Sequence, residues 1–86
     1  MNSNRKKYTI EDMCFNLKSY NNLNGTTRVY GNCVFTGKMY SCFAPTDGLN
    51  RWLNGEKIQE VMPNVPDLDR KFIISGISPD GWIKEN

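Results

Sequence analysis

The sequence contains no histidine. That removes the commonest general base, the usual partner of a serine or cysteine nucleophile, and the commonest metal ligand. Cysteine is sparse and unpaired in pattern. Cys14, Cys33 and Cys42 are an odd number without a short C-x-x-C spacing, which fits free thiols in a reducing cytosol better than a disulfide framework. No apolar run approaches the roughly 18 residues that a membrane span requires. The opening stretch "MNSNRKKYTIEDM" has basic residues but no apolar segment behind them, so it shows no secretory signal. A large excess of one charge is also missing: 11 Lys and Arg stand against 9 Asp and Glu, a net +2. A dedicated DNA binder usually shows a basic stripe and a higher pI than 8.5. A cytoplasmic protein without a membrane association is expected.

What remains is ordinary globular composition, 38% hydrophobic and 12% aromatic over 86 residues. A chain of this length makes one domain and buries roughly 60–65% of the surface that its unfolded form exposes. Residues 1–8 read as a flexible basic arm carrying Arg5, Lys6 and Lys7, and residues 9–86 as a single small α+β domain.

Within that domain the expected order is an N-terminal amphipathic helix, an antiparallel β-hairpin, then several short C-terminal helices packed on it. Thr9 is a helix start, and Ile10, Met13, Cys14, Leu17 and Tyr20 form one apolar stripe at helical spacing. The run Asn21-Asn22-Leu23-Asn24-Gly25 is a helix stop. Val29, Tyr30, Val34, Phe35, Tyr40 and Phe43 then change the period. They predict strands over 27–35 and 38–44 around a Thr36-Gly37 turn, with Gly31 marking a bulge. A lone hairpin is barely stable in water, so one of its faces must pack on helices. Asp47 predicts the start of a helix whose inner face is Leu49, Trp52 and Leu53, and Asn54-Gly55 its stop. "EKIQEVM" gives another turn or two before Pro63. Pro66 suits a first helical position, Leu68, Phe72 and Ile73 face inward, and Gly76 ends the helix. Ser78-Pro79-Asp80 starts a last cap that folds Trp82 back onto the body.

The catalytic inventory is nearly empty. "ISGIS" around Ser75 lacks the glycine that a nucleophile elbow places before its serine. Asp67 and Asp69 stand two apart on a helix, so they compensate its dipole and do not face each other as paired carboxylates. "GTTRVYG" precedes a strand and has no lysine for a phosphate loop. Cys14 lies on the apolar stripe. Cys33 and Cys42 read as packing or as a weakly held metal pair, and three cysteines fall short of the four ligands of structural zinc. The expectation is a non-enzyme without catalytic, cofactor-binding or metal-binding residues. Surface chemistry is left to carry function. Tyr30, Tyr40, Arg51, Trp52, Gln59, Arg70 and Lys71 are the candidate partner-binding residues. Core packing competes for Trp52, and an ion pair to Glu56 or Glu60 for Arg70.

Arg51 to Trp82, "RWLNGEKIQEVMPNVPDLDRKFIISGISPDGW", resembles a family of small uncharacterised proteins from bacteriophages, prophages and bacteria. The shared pattern is W-x-x-G-x-x-I-Q-x-x-x-P followed by D-R-x-x-x-x-S-G-I-x-x-x-x-[WF]. Trp52, Gly55, Ile58, Gln59 and Pro63 carry its first half, and Asp69, Arg70, Ser75, Gly76, Ile77 and Trp82 its second. Some members carry C-x-x-C directly after S-G-I, pairing with upstream cysteines on a zinc, whereas Ser78 and Gly81 stand there in this chain. The resemblance implies a mobile-element origin in a bacterial host cell. By analogy with other phage proteins of this size, it implies a module that binds and inhibits or redirects a host protein complex. A defence nuclease is the favoured target, as for an anti-CRISPR protein, and host transcription machinery the next. The alternative is a nucleic-acid accessory domain, in which Arg5–Lys7, Arg28 and Lys38 contact phosphates and the hairpin tyrosines stack on bases. A third reading is a homo-oligomer formed through the hairpin edge.

Overall fold

The computed structural model describes residues 9–83. Its elements are α1 (Ile10–Met13), β1 (Leu17–Asn21), β2 (Thr26–Asn32), β3 (Met39–Pro45), α2 (Thr46–Leu53), α3 (Ile58–Val61), α4 (Asp67–Ser75) and α5 (Pro79–Ile83). The three strands form one antiparallel sheet in the order β1-β2-β3. The α+β class and the run of short helices after the sheet agree with the sequence. The basic arm expected at 1–8 lies outside the described residues. None of the described helices is long and apolar enough to cross a membrane.

The main departure is at the N-terminal end. The expected helix stops after one turn at Met13, and residues 17–21 extend into β1. Ile10, Cys14 and Leu17 are buried, as the apolar stripe requires, but Met13 and Tyr20 are exposed. Beyond Leu17 the stripe continues only in Tyr20, an amphipathic side chain that stays exposed on β1. The stretch read as a helix stop is instead the turn between β1 and β2. Asn21 accepts the N–H of Leu23 at 2.8 Å, Leu23 sits at φ 66°, and Asn22 N donates to the Thr26 carbonyl at 3.0 Å. The turn lays Leu17 opposite Gly31 and Asn21 opposite Thr27, so β1 adds a third strand to what would otherwise be a marginal hairpin.

Gly31 is not in a bulge. It pairs in unbroken register with Leu17 on one side and Tyr40 on the other. Its missing side chain serves close approach, because a Cβ there would lie 2.2 Å from the Asn16 carbonyl oxygen.

The sheet buries one face. Leu17, Val29, Cys42 and Ala44 point inward and join Ile10, Leu49, Ile58, Met62, Val65, Phe72 and Ile73 in one core. Phe72 and Ile73, both fully buried, place α4 under the sheet. Leu49 docks α2 on the core beside them, with Trp52 and Leu53 half-buried against it. Hydroxyls of Thr27 and Thr46 meet at 2.8 Å and tie β2 to the start of α2. Gly76 ends α4 in the left-handed region as expected, and Pro66 caps that helix one residue ahead of its first position, whereas α2 starts at Thr46 behind Pro45 and not behind the expected Asp47 cap.

Candidate functional site

Because side chains alternate along a strand, burying Val29 and Cys42 sends their neighbours to the other side. The outer face is therefore fixed by register. Lys18, Tyr30 and Ser41 form one cross-strand row, and Tyr20, Arg28 and Phe43 the next. Asn32 and Met39 extend the face at one end, and Thr26 and Pro45 close it at the other. Among the described residues no carboxylate stands on this face. Tyr20 is 62% exposed and Phe43 60%, and they stand on either side of Arg28 in one cross-strand row. The Arg28 guanidinium lies over the Tyr30 ring, 5.3 Å from its centroid, which holds the ring and the charge in fixed relation.

The seven candidate partner-binding residues do not share one surface. Tyr30 is on the outer face, while Tyr40 is on the inner face. Tyr40 packs edge-on to Phe72 with centroids 5.0 Å apart and donates its hydroxyl to Asp69 at 2.5 Å. Burial, and then the carboxylate it is bonded to, push the Tyr40 phenol above its ordinary pKa. Arg51 is held by Glu56 at 2.8 Å and by Asp47 across one helical turn at 4.0 Å. Arg70 donates to the carbonyls of Met62, Pro63 and Val65 at 3.0–3.3 Å and pairs with Asp67, so it clamps the α3–α4 connection and does not reach Glu56 or Glu60. Lys71 pairs with Asp67 at 3.6 Å and lies over the Trp82 ring at 5.1 Å. Trp52 packs on the core, and Gln59 is exposed on α3.

Three outer-face residues, Lys18, Tyr20 and Phe43, were not singled out as binding residues. The signal for Phe43 was available in the alternation of β3. That for Lys18 and Tyr20 was hidden by the helical reading of β1.

On the inner side, a cavity of about 320 Å³ opens between β1, β2 and α2, lined by Ser19, Asn21, Thr46, Asn50 and Asn54 among others. Its lining is uncharged, so it offers hydrogen bonds but no acid or base. The three cysteines are all free and buried. Cys14 donates its thiol to the Ile74 carbonyl at 3.1 Å, and burial pushes its pKa up. Burial, with Asp69 nearby, pushes Cys42 up to about 12. Cys33 is different. Burial raises its pKa, but side-chain and backbone hydrogen bonds from Ser78 and Thr36 outweigh it and bring the thiol down to about 6.

A zinc of the kind expected for some members of the resembled family does not fit these donors. The positions grouped around Cys33 are Thr36, Ser78 and Gly81, which supply two hydroxyls and no side chain where thiolates or imidazoles are needed. Among the described residues no three potential metal-ligating side chains come together. Comparison of the chain with protein-family models, curated proteins and solved structures gave no match.

Proposed function

We propose that the outer face of the sheet binds single-stranded nucleic acid. The observation that carries this reading is an exposed antiparallel sheet bearing three aromatic rings and two cations, with no carboxylate among them. Bases taken out of a duplex stack on aromatic side chains of open sheets, and each such contact is worth roughly 1–3 kcal/mol. The rings are spaced for it. Tyr30 stands one row beyond Arg28, about 7 Å along the strand, and Tyr20 and Phe43 flank Arg28 about 10 Å apart. Lys18 and Arg28 lie between the rings, placed for the backbone phosphates of a short stretch of unpaired nucleotides.

The test is fluorescence anisotropy of labelled single strands and of the matching duplex with the full chain. Preference for the single strand, lost in Tyr20→Ala/Phe43→Ala with the fold intact, supports the proposal. An Arg5/Lys6/Lys7→Ala variant that abolishes binding while the ring variant keeps it would assign the affinity to the arm and sink the sheet reading.

A second reading, occupation of a bacterial host protein's surface, is supported by the other end of the sheet. Phe15 is 89% exposed and Phe35 69%, with Val34 and Ile74 half-exposed, and the segments that carry them meet at the Gly76 carbonyl, which accepts Val34 N and Asn16 Nδ2. Stoichiometric, salt-tolerant capture of one host protein, lost in Phe15→Ser/Phe35→Ser and retained in Tyr20→Ala/Phe43→Ala, would replace nucleic acid with that partner.

A further inference from the structure

An asparagine followed by glycine can cyclise on itself. The next backbone nitrogen attacks the side-chain carboxamide, and glycine leaves that approach open because it has no side chain. The chain has two such steps, Asn24-Gly25 and Asn54-Gly55. The fold treats them in opposite ways.

Asn54 is the C-cap of α2, and its N–H donates to the Asn50 carbonyl at 3.0 Å. The Gly55 N–H is engaged as well, donating to the Trp52 carbonyl at 2.9 Å. A nitrogen bonded in this way cannot lose its proton and turn on the side chain without opening the end of the helix.

Asn24 sits in the turn between β1 and β2. Its Oδ1 accepts Thr26 N at 3.2 Å and Thr26 Oγ1 at 2.7 Å. Because Thr26 lies beyond Gly25, these bonds fold the carboxamide forward over the Gly25 peptide. Asn22 Nδ2 donates to Thr26 Oγ1 at 3.3 Å, which directs the hydroxyl's own proton to Asn24. Thr46 N holds the Gly25 carbonyl at 2.9 Å. Among the described residues, the Gly25 N–H donates to no backbone carbonyl. Two donors therefore already sit on the oxygen that becomes negative when Gly25 N attacks. Donors aimed at a developing oxyanion are what lowers the barrier to acyl transfer.

We propose that Asn24 is a site of spontaneous deamidation in the folded protein, and that Asn54 is not. Gly25 N loses its proton to hydroxide and attacks Asn24 Cγ. A C–N bond forms, Oδ1 takes the negative charge, and Nδ2 leaves as ammonia after taking a proton from water. Water then opens the cyclic imide at either carbonyl, to aspartate or to isoaspartate. In sum, the carboxamide and one water become a carboxylate and ammonium. The new carboxylate stands at the hairpin tip beyond the Tyr20–Arg28 pair, where it opposes the cations of the outer face. That consequence rests on the reading of this face as a polyanion platform; the chemistry does not.

The test is timed incubation of the full chain at mildly alkaline pH, folded or unfolded in guanidinium chloride, followed by trypsin and tandem mass spectrometry. Peptides 19–28 and 52–57 report the two sites in one digest. In the folded chain Asn24 should convert at least about tenfold faster than Asn54, with part of the product as isoaspartate, and unfolding should bring the two rates together. Equal folded rates, a difference that persists on unfolding, or an Asn24 that converts only once unfolded overturns the proposal. Asn24→Asp should weaken single-strand binding roughly twofold at low salt and less at high salt. Conversion of wild type with unchanged binding by Asn24→Asp would overturn the electrostatic consequence alone. No binding by either chain would sink the reading of the outer face and leave the modification standing.

Discussion

Cys33 sets a pH dependence that none of the other cysteines can imitate. Its thiol is held at about 6 in the folded protein, below the roughly 8.5 of an unfolded cysteine. A group with a depressed folded pKa contributes stability fully above its unfolded value, and that contribution disappears as pH falls through the folded value. Wild type should therefore gain stability from pH 6 to 8.5 relative to Cys33→Ala, read as a widening gap between their urea midpoints. Cys14 and Cys42 are shifted upward, so their ionisation in the unfolded chain lowers stability only above that window. A constant gap across pH 6 to 8.5 would show that Cys33 is a neutral thiol in the folded state. A second single-residue outcome follows from Gly31. A Cβ pressed to 2.2 Å from the Asn16 carbonyl requires the backbone to move. Gly31→Ala should cost about 2–3 kcal/mol by urea denaturation, as overpacking in a close-packed site does.

Among the elements, α5 gives the sharpest contrast between burial and exposure. Trp82 folds back as its start signal predicts, donating Nε1 to the Ile77 carbonyl at 3.0 Å under the Lys71 ammonium. It remains 39% exposed, so it is a partial dock and not a core residue. Truncating a fully buried Trp costs roughly 3–5 kcal/mol, and Trp82→Ala should cost only about 2, measured as a shift in urea midpoint. A loss near 4 would mean that the indole is more deeply seated than this. The start and stop residues that announce α5 also announce α2, α3 and α4, since prolines, glycines and acidic first turns act locally and survive any packing. The β2–β3 hairpin is legible for a similar reason, its β-branched and aromatic residues alternating around Thr36-Gly37. β1 is not legible. Ile10, Cys14 and Leu17 recur at i, i+4 and i+7, a helical spacing that the structure buries through one turn of helix and a bend. Beyond Leu17 the inward positions of β1 are Ser19 and Asn21, polar residues that give no two-residue period to read. The candidate binding face was hidden with it, because two of its five key residues sit on that strand. The corner around Cys33 was not legible, because only folding brings Thr36 N and Ser78 N to its sulfur.

Over the whole molecule a net charge of +2 hides a segregation. The carboxylates of the described residues lie on α1, α2, α3, α4 and α5 and in the segment between α2 and α3, while the charged side chains that the described strands place on the outer face are Lys18 and Arg28. Association with a polyanion depends on the local field and on counterions released, not on the sum over the chain. Each phosphate neutralised on a single strand contributes a slope of about −0.7 to log K against log salt, so the two sheet cations together give about −1.4. Their contribution should weaken binding roughly sevenfold between 50 and 200 mM salt. Lys18→Ala/Arg28→Ala should flatten the measured slope by about 1.4, whatever further slope Arg5, Lys6 and Lys7 supply. Tyr20→Ala/Phe43→Ala should lower affinity at every salt concentration and leave the slope alone, because stacking releases no counterions. A double lysine–arginine variant with an unchanged slope would mean that no phosphate sits on the sheet. In that case the exposed rings are there to meet a protein.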